Sequence, residues 1–113
     1  MNQTTTPDRG GWQPLFEQIS KGRHAQNLTI DVLDEDFGDQ TEVNGMPFES
    51  IDFDGRSDVI VVAVAGREPH APVVLRHVIH EPQVVDLLDR SDASLVMRVV
   101  DGAGVETLLT FQP

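Results

Sequence analysis

The alternation of apolar and polar residues predicts a set of short strands around one fully apolar segment. Residues 59–65 contain no polar side chain, so both faces of a strand there are apolar. Four of the seven residues are valines and Gly66 ends the run, which favours a strand over a helix. With residues 46–53 and a turn cluster at 54–57, they predict a central hairpin. A strand that is apolar on both faces is expected to be covered on both.

One amphipathic helix is predicted near the start of the chain. Four apolar residues follow the helical spacing i, i+3, i+4, i+7, and these are Trp12, Leu15, Phe16 and Ile19. Gly22 suits the end of this helix. A helix of about two turns is too short to persist alone in water, so its apolar face must dock. We expect it to dock on the face of the central strand that carries Ala63 and Ala65.

Further short strands are predicted at the spacing of hairpins, from the same alternation of apolar and polar residues. They cover residues 28–32, 73–80, 84–88, 95–100 and 105–111. Pro82 interrupts the series because it cannot donate to a ladder, and residues 84–88 also fit a helical turn. The dipeptide Asn44-Gly45 predicts a hairpin turn before the central hairpin.

Together these elements predict a mainly β fold of the α+β class. The expected arrangement is an antiparallel meander of seven to eight strands forming a small barrel or two-layer roll, with one short N-terminal helix packed on it. No second helix is long enough for a parallel crossover. The polar residues 1–10 are expected to be a disordered N-terminal tail. Residues 11–113 are expected to form a single β-rich domain.

Charge and composition narrow the classes of partner. The chain of 113 residues has 19 acidic and 8 basic side chains, for a formal net charge of -11. Nucleic acid is therefore disfavoured as a partner, because phosphates are repelled. The absence of cysteine excludes disulfides, thiolate metal sites and cysteine nucleophiles. No secretory signal or membrane-spanning segment is visible, so a cytoplasmic protein with no membrane partner is expected.

The histidines at 77 and 80 are the most interesting candidates for chemistry. His77 shares a strand face with Leu75 and Ile79, and a partly buried imidazole acts as a base, ligand or pH sensor. In the opposite register His80 is the inner residue. Because residues three apart point to opposite sides of a regular strand, one metal binds both histidines only at a bulge. With Asp52 and Asp54 of the central hairpin, His77 and His80 form the candidate ligand-binding residues.

Other motifs carry no chemistry. The acidic loop of residues 34–39 does not have the spacing of a calcium loop and is expected to be a solvated acidic face. No phosphate-binding glycine loop and no G-x-S-x-G turn is present, so no catalytic residue and no cofactor is predicted.

Many weakly specific residues follow one another in a recognisable order. They are Trp12, Phe16, Ser20, His24, Val32-Leu33, Gly38, Met46-Pro47-Phe48, Ile51, Asp54, His77-x-Ile79-x-x-Pro82-x-x-Val85, and Asp101-Gly102 leading to Thr107-Leu108-Leu109-x-Phe111. In this order the chain resembles an uncharacterised family of small bacterial proteins, one of the numbered domains of unknown function. It departs from that family in having Phe48 where leucine is usual, and in lacking a usual glycine after the His24 region. The resemblance implies a small cytoplasmic domain and supplies no activity, substrate or cofactor.

The function predicted from these observations is a non-enzymatic protein-interaction or regulatory domain with an acidic surface. An open sheet edge presents unpaired backbone groups, which pair with a protein partner or with a second copy in a homodimer. The alternative is a small-ligand or metal-binding protein, or a weak enzyme, with its site near His77 and His80 at the mouth of the barrel.

Overall fold

The computed structural model describes residues 3–68 and 71–113, and within them it contains eight strands and one α-helix. The strands are β1 (Gln3–Thr5), β2 (Asn27–Asp34), β3 (Gly38–Asp54), β4 (Val59–Ala65), β5 (Val73–His80), β6 (Pro82–Asp89), β7 (Leu95–Asp101) and β8 (Glu106–Gln112), and the helix is α1 (Trp12–Gly22). Every neighbouring pair is antiparallel, in the order β1-β6-β7-β8-β2-β3-β4-β5. The prediction of an antiparallel β fold with one short N-terminal helix is confirmed.

Two corners fold this sheet over on itself into a roll. The first lies in β3, whose 17 residues pair with β2 through the first part and with β4 from Phe48 onward. The second is Glu81, the single residue between β5 and β6, which are neighbours in sequence but lie far apart in the strand order. Glu81 has a positive φ of 52°, and its backbone bonds Asp58 and Gly102. Because the hydrogen-bonded order ends at β1 and β5, the sheet is an open roll rather than a closed barrel.

Asn44 and Gly45 do not form the predicted hairpin turn. They lie inside β3, at an irregular stretch where the register with β2 shifts, and Gly45 has a φ of 63°. The guanidinium of Arg67 donates to the carbonyl oxygens of both residues, at 3.1 and 3.3 Å. The prediction failed because a bend inside a strand and a tight turn both need the positive φ that Asn-Gly tolerates.

The helix packs on a different surface from the one predicted. Its buried residues Trp12, Phe16 and Ile19 belong to one core cluster. The other members of that cluster include Ile60, Val62 and Val64 of β4. The main neighbour of α1 is β3, and the hydroxyl of Ser20 bonds both the N–H and the C=O of Ile51. The prediction that the helix docks on the Ala63/Ala65 face is therefore wrong, since that face of β4 points away from the core.

Among the described residues, no second layer covers the outer face of β4 as its apolar sequence predicted. Ala63 is nevertheless little exposed, between Ser50 of β3 and Arg76 of β5. Val59 and Val61, on the same face, are partly exposed. Short side chains in the middle of a sheet need less cover than the pattern alone indicates.

The N-terminal segment is ordered where the structure describes it. β1 pairs with Leu87, Leu88 and Asp89 of β6, and the hydroxyl of Thr6 donates to Asp86 at 2.7 Å. A disordered tail was expected over residues 1–10, and the structure differs from that expectation in forming β1 and these hydrogen bonds, while Met1 and Asn2 lie outside the described residues. Polarity predicted disorder, but a strand edge supplies backbone partners that need no apolar side chains.

The other elements agree with the sequence predictions. Residues 84–88 lie in β6, so they form the predicted strand and not the alternative helical turn. β6 begins at Pro82 itself. The predicted central and C-terminal hairpins correspond to the antiparallel pairs β3/β4 and β7/β8. No helix among the described residues has the length and apolar character needed to cross a membrane.

Candidate functional site

The outer edge of β5 is the long unpaired strand edge at one end of the sheet. β5 pairs with β4 alone, with Val59 opposite His80 and Val61 opposite Val78. The N–H of Glu81, next along this ladder, donates to the carbonyl of Asp58 at 2.9 Å. This bond makes Glu81 and Asp58 a hydrogen-bonded pair, and such pairs alternate with non-bonded pairs along an antiparallel ladder. The N–H and C=O groups of every second residue of β5, counted back from His80 to Arg76, therefore point away from β4. These residues are Arg76, Val78 and His80.

Side chains on this strand are unusually apolar for an exposed edge. Val74 is 56% exposed, and Leu75 and Val78 are each 40% exposed. Arg76 is also exposed and makes no ion pair or hydrogen bond with any described residue. No aspartate or glutamate occurs within Val73–His80. The edge is thus long, apolar and free of negative charge, in a chain of formal net charge -11.

His77 and His80 point to opposite faces of β5. His77 faces inward with the buried Ile79 and is itself half-buried, whereas His80 is exposed on the outer face. Burial lowers the pKa of His77 from its ordinary 6.5, against an opposing effect of the Glu42 carboxylate on β3. The register in which His77 is the inner residue is therefore the one adopted.

Asp52 and Asp54 lie on the outer face of the roll and do not meet His77. Asp54, Val59 and His80 lie side by side on three adjacent strands, so a valine separates the carboxylate from the imidazole. The carboxylate of Asp54 instead accepts the N–H groups of the turn that follows it, at 3.0 and 3.4 Å. Asp52 is exposed opposite Val61. The four predicted ligand-binding residues are thus not brought together in one site.

The cavity beside the two histidines is small. It has a volume of about 180 Å³ and is also lined by Val32, Asp101 and Thr107. Sites for small molecules usually occupy at least about 300 Å³. Across residues 3–68 and 71–113, no three histidine, aspartate or glutamate side chains are arranged to hold a metal ion.

Larger grooves than this cavity lie elsewhere on the surface. One of about 440 Å³ runs between α1 and the strands β6 and β7, with Ile19, Leu87 and Leu95 among its lining residues. Another, of about 490 Å³, lies beside a contact in which His24 Nε2 and Glu49 Oε2 are 3.1 Å apart. Sequence patterns did not indicate either groove, because each is built from segments distant in the chain.

The acidic loop between β2 and β3 is exposed, and Phe37 in it is 80% exposed. The carboxylate of Asp34 accepts the N–H groups of Asp36 and Phe37, which makes this segment a compact turn. None of its carboxylates takes part in an ion pair within the described residues.

The family comparison agrees with the resemblance drawn from the sequence. Residues 3–113 match the sequence model of a family described as a family of unknown function (DUF5335). The chain belongs to this family. It is also 28% identical over 102 residues to an uncharacterized protein of Aquifex aeolicus (strain VF5), a match that covers 90% of this chain and 86% of the relative. No solved structure matches the chain. The family description names no activity.

Proposed function

We propose that this member of the DUF5335 family is a non-enzymatic protein-interaction domain that pairs the edge of β5 with an extended strand of a protein partner. The observation that carries the proposal is an eight-residue edge strand whose outer backbone groups are unpaired and whose Val74, Leu75 and Val78 are exposed. Natural proteins usually shorten, charge or cover such an edge, because it templates pairing with another chain. Here it is left available.

In this mode of recognition, backbone and side chains contribute separately. The outward N–H and C=O groups of Arg76, Val78 and His80 supply a ladder of hydrogen bonds, which gives affinity. Val74 and Val78 supply apolar contact, and the exposed guanidinium of Arg76 favours a partner strand that is neutral or carries a carboxylate there. The acidic surface, including residues 34–39, keeps the rest of the molecule solvated and disfavours other contacts with acidic proteins.

The alternative of a ligand site or weak enzyme at His77 and His80 has less support. Both histidines border a cavity of only about 180 Å³, and Asp52 and Asp54 lie outside it. A cytoplasmic setting belongs to the proposal, and the lack of cysteine fits it, since small secreted domains commonly rely on disulfides.

The test compares two lysine substitutions of exposed valines. The tagged wild type, Val78→Lys on β5 and Val84→Lys on β6 are incubated with a lysate of the source cells that also contains untagged chain, and retained proteins are identified by mass spectrometry. We expect wild type and V84K to retain the same partner, either another protein or the untagged chain, and V78K to lose it. If V78K retains the same proteins, or if the wild type retains none, the proposed function is wrong.

A further inference from the structure

Resting on the proposed function, we propose that the strand that pairs with β5 is β5 of a second copy, in a twofold antiparallel dimer centred on His77. The sheets of the two copies then form one continuous surface through the axis. This assigns both the partner and the register of the interaction.

Charge selects β5 as the place where two copies meet. Each copy has a formal net charge of -11, so any contact between copies must avoid opposing carboxylates. Val73–His80 contains no acidic residue and has Arg76 as its only fully charged side chain. The outer edge of residues 38–43 of β3 is also unpaired, but it carries Asp39 and Glu42. Within β5 itself two copies therefore bring no carboxylates together, while Glu42 of β3 acts on His77 and Asp101 borders the same cavity.

A strand that pairs with itself across a twofold axis needs one surface only, and the resulting assembly closes as a dimer. Pairing of β5 with residues 38–43 of another copy is instead head-to-tail and produces open chains. The contact between two edge strands belongs to the class below about 1,200 Å², which forms weak and concentration-dependent complexes.

Side-chain charges select the register of the dimer. Residues that exchange hydrogen bonds across the axis must be those whose backbone points outward, so the axis passes through a residue of β5. The two copies of Val73–His80 overlap most when that residue is Arg76 or His77. An axis at Arg76 places two guanidiniums opposite each other, and an axis at Val78 leaves a shorter overlap of the two strands. An axis at His77 places Arg76 opposite Val78 and His80 opposite Val74. Like charges directly opposite are destabilising, so the axis at His77 is favoured.

The inner face is compatible with this register. Leu75 and Ile79, both apolar, come opposite each other on the side that faces the core. The two His77 residues meet at a pair that is not hydrogen-bonded, where Cα atoms lie about 4.5 Å apart. Their half-buried imidazoles occupy the centre of the contact.

Association itself is tested by light scattering over a range of protein concentrations. The wild type and V84K are expected to rise from the 12.5 kDa of one chain toward twice that mass, while V78K stays at the mass of one chain. A wild type that remains a monomer at high concentration overturns the dimer. In that case the affinity experiment alone tests the proposed function. The proposal is supported if V78K loses a protein, other than the untagged chain, that the wild type retains, and it is wrong if V78K loses none. A mass that grows beyond two chains also overturns the twofold arrangement.

The register is tested by disulfide trapping, since the chain has no cysteine of its own. His77→Cys is expected to cross-link under mild oxidation, because its two copies face each other within disulfide range. Arg76→Cys and Val78→Cys are each expected to cross-link poorly alone, since like positions are offset by two residues, about 7–8 Å. A mixture of the two is expected to cross-link, because residue 76 then faces residue 78.

The mixed pair keeps the test independent of any effect of H77C on folding. Efficient cross-linking of V78C alone or R76C alone indicates another axis and overturns the register. Failure of both H77C and the mixed pair overturns it as well.

Discussion

The N-terminal segment pairs with the outer edge of β6, whereas no described strand pairs with the outer edge of β5. β1 pairs with the end of β6, Thr6 bonds Asp86, and Arg9 donates to the carbonyl of Pro82 at 2.6 Å. The segment thus contacts β6 at both of its ends, over 86–89 and at Pro82. On β5, by contrast, Val74 and Val78 remain exposed and the outer ladder is unpaired. One chain therefore protects one end of its sheet and leaves the other accessible.

Arg9 fixes the cover on the β6 edge. Its guanidinium lies 4.7 Å from the ring centre of Trp12 and 5.5 Å from that of Phe53, and it forms an ion pair with Asp58 at 2.8 Å. A polar segment is thereby attached to the core through one cation. Protection of the β6 edge depends on a few specific contacts, so a single substitution is expected to weaken it.

The largest expected effect comes from Arg9→Ala, which removes the anchor of the covered edge. Loss of the cation–π stack and of the bond to Pro82 is expected to lower the free energy of unfolding by about 2 kcal/mol. Chemical denaturation measures this. The control is Arg56→Ala, an exposed arginine in the β3/β4 turn, which is expected to change stability little. Equal effects of the two substitutions would contradict the role of Arg9.

A smaller effect is expected from Ser20→Ala, which acts on the edge of β3. The Ser20 hydroxyl satisfies both backbone groups of Ile51, on the side of β3 that faces the helix rather than β4. Leaving these partly buried groups unpaired is expected to cost about 1.5 kcal/mol. Ser57→Ala, at an exposed turn, is the matched control in the same denaturation measurement. A loss no greater than that of S57A would mean that the hydroxyl does not cap β3.

The pH dependence of stability reports on the burial of His77, the inner histidine of β5. Burial lowers the pKa of His77 below 6.5, with Glu42 on β3 opposing and Asp101 bordering the same cavity. Between the lowered pKa and 6.5 the unfolded chain binds more protons, so stability is present above 6.5 and falls as pH decreases through this window.

His77→Gln is therefore expected to lose less stability than its parent between pH 7.5 and 5, values that bracket about 6.5. Denaturation is measured in the V78K background, so that self-association does not contribute. His80→Gln, on the exposed face, serves as the control for loss of a histidine from β5. An unchanged slope in H77Q would show that His77 is not buried in its neutral form.

The smallest expected effect on stability is that of Val78→Lys. The side chain is exposed, so the free energy of unfolding of the monomer should change by less than about 0.5 kcal/mol, even though partner binding is lost. Denaturation at low protein concentration checks this. A large loss of stability would mean that V78K damages the fold, and binding would then be assessed with Val74→Lys instead.

Local patterns predicted most elements, but not the neighbours that those elements acquire. The helical spacing of Trp12 to Ile19 and the alternation in 95–111 describe single elements, and both predictions are confirmed. The prediction of a hairpin turn at Asn44-Gly45 was wrong because the backbone preference of this dipeptide fits a bend as well as a turn. The predicted docking surface of α1 was wrong because β4 is apolar on both faces, so the pattern did not distinguish its inner face from its outer face.

That His77, His80, Asp52 and Asp54 bind a ligand stays a prediction. His77 and His80 lie on the strand that now defines the open edge, but Asp52 and Asp54 stand apart from the His77 side of it. The exposed valines of β5 were not singled out, because an edge strand and a central strand have the same alternation. The lack of acidic residues over 73–80 was the one visible signal in so acidic a chain.

By itself, the sequence determined the antiparallel β class, the single short helix, the strong negative charge and the family. These follow from local periodicity, composition and residue order, which need no knowledge of neighbours. Only the tertiary structure decided which strands lie at the ends of the sheet, because strand order depends on contacts between distant segments. The N-terminal segment covers β6 and leaves β5 open, and that difference carries the proposed function.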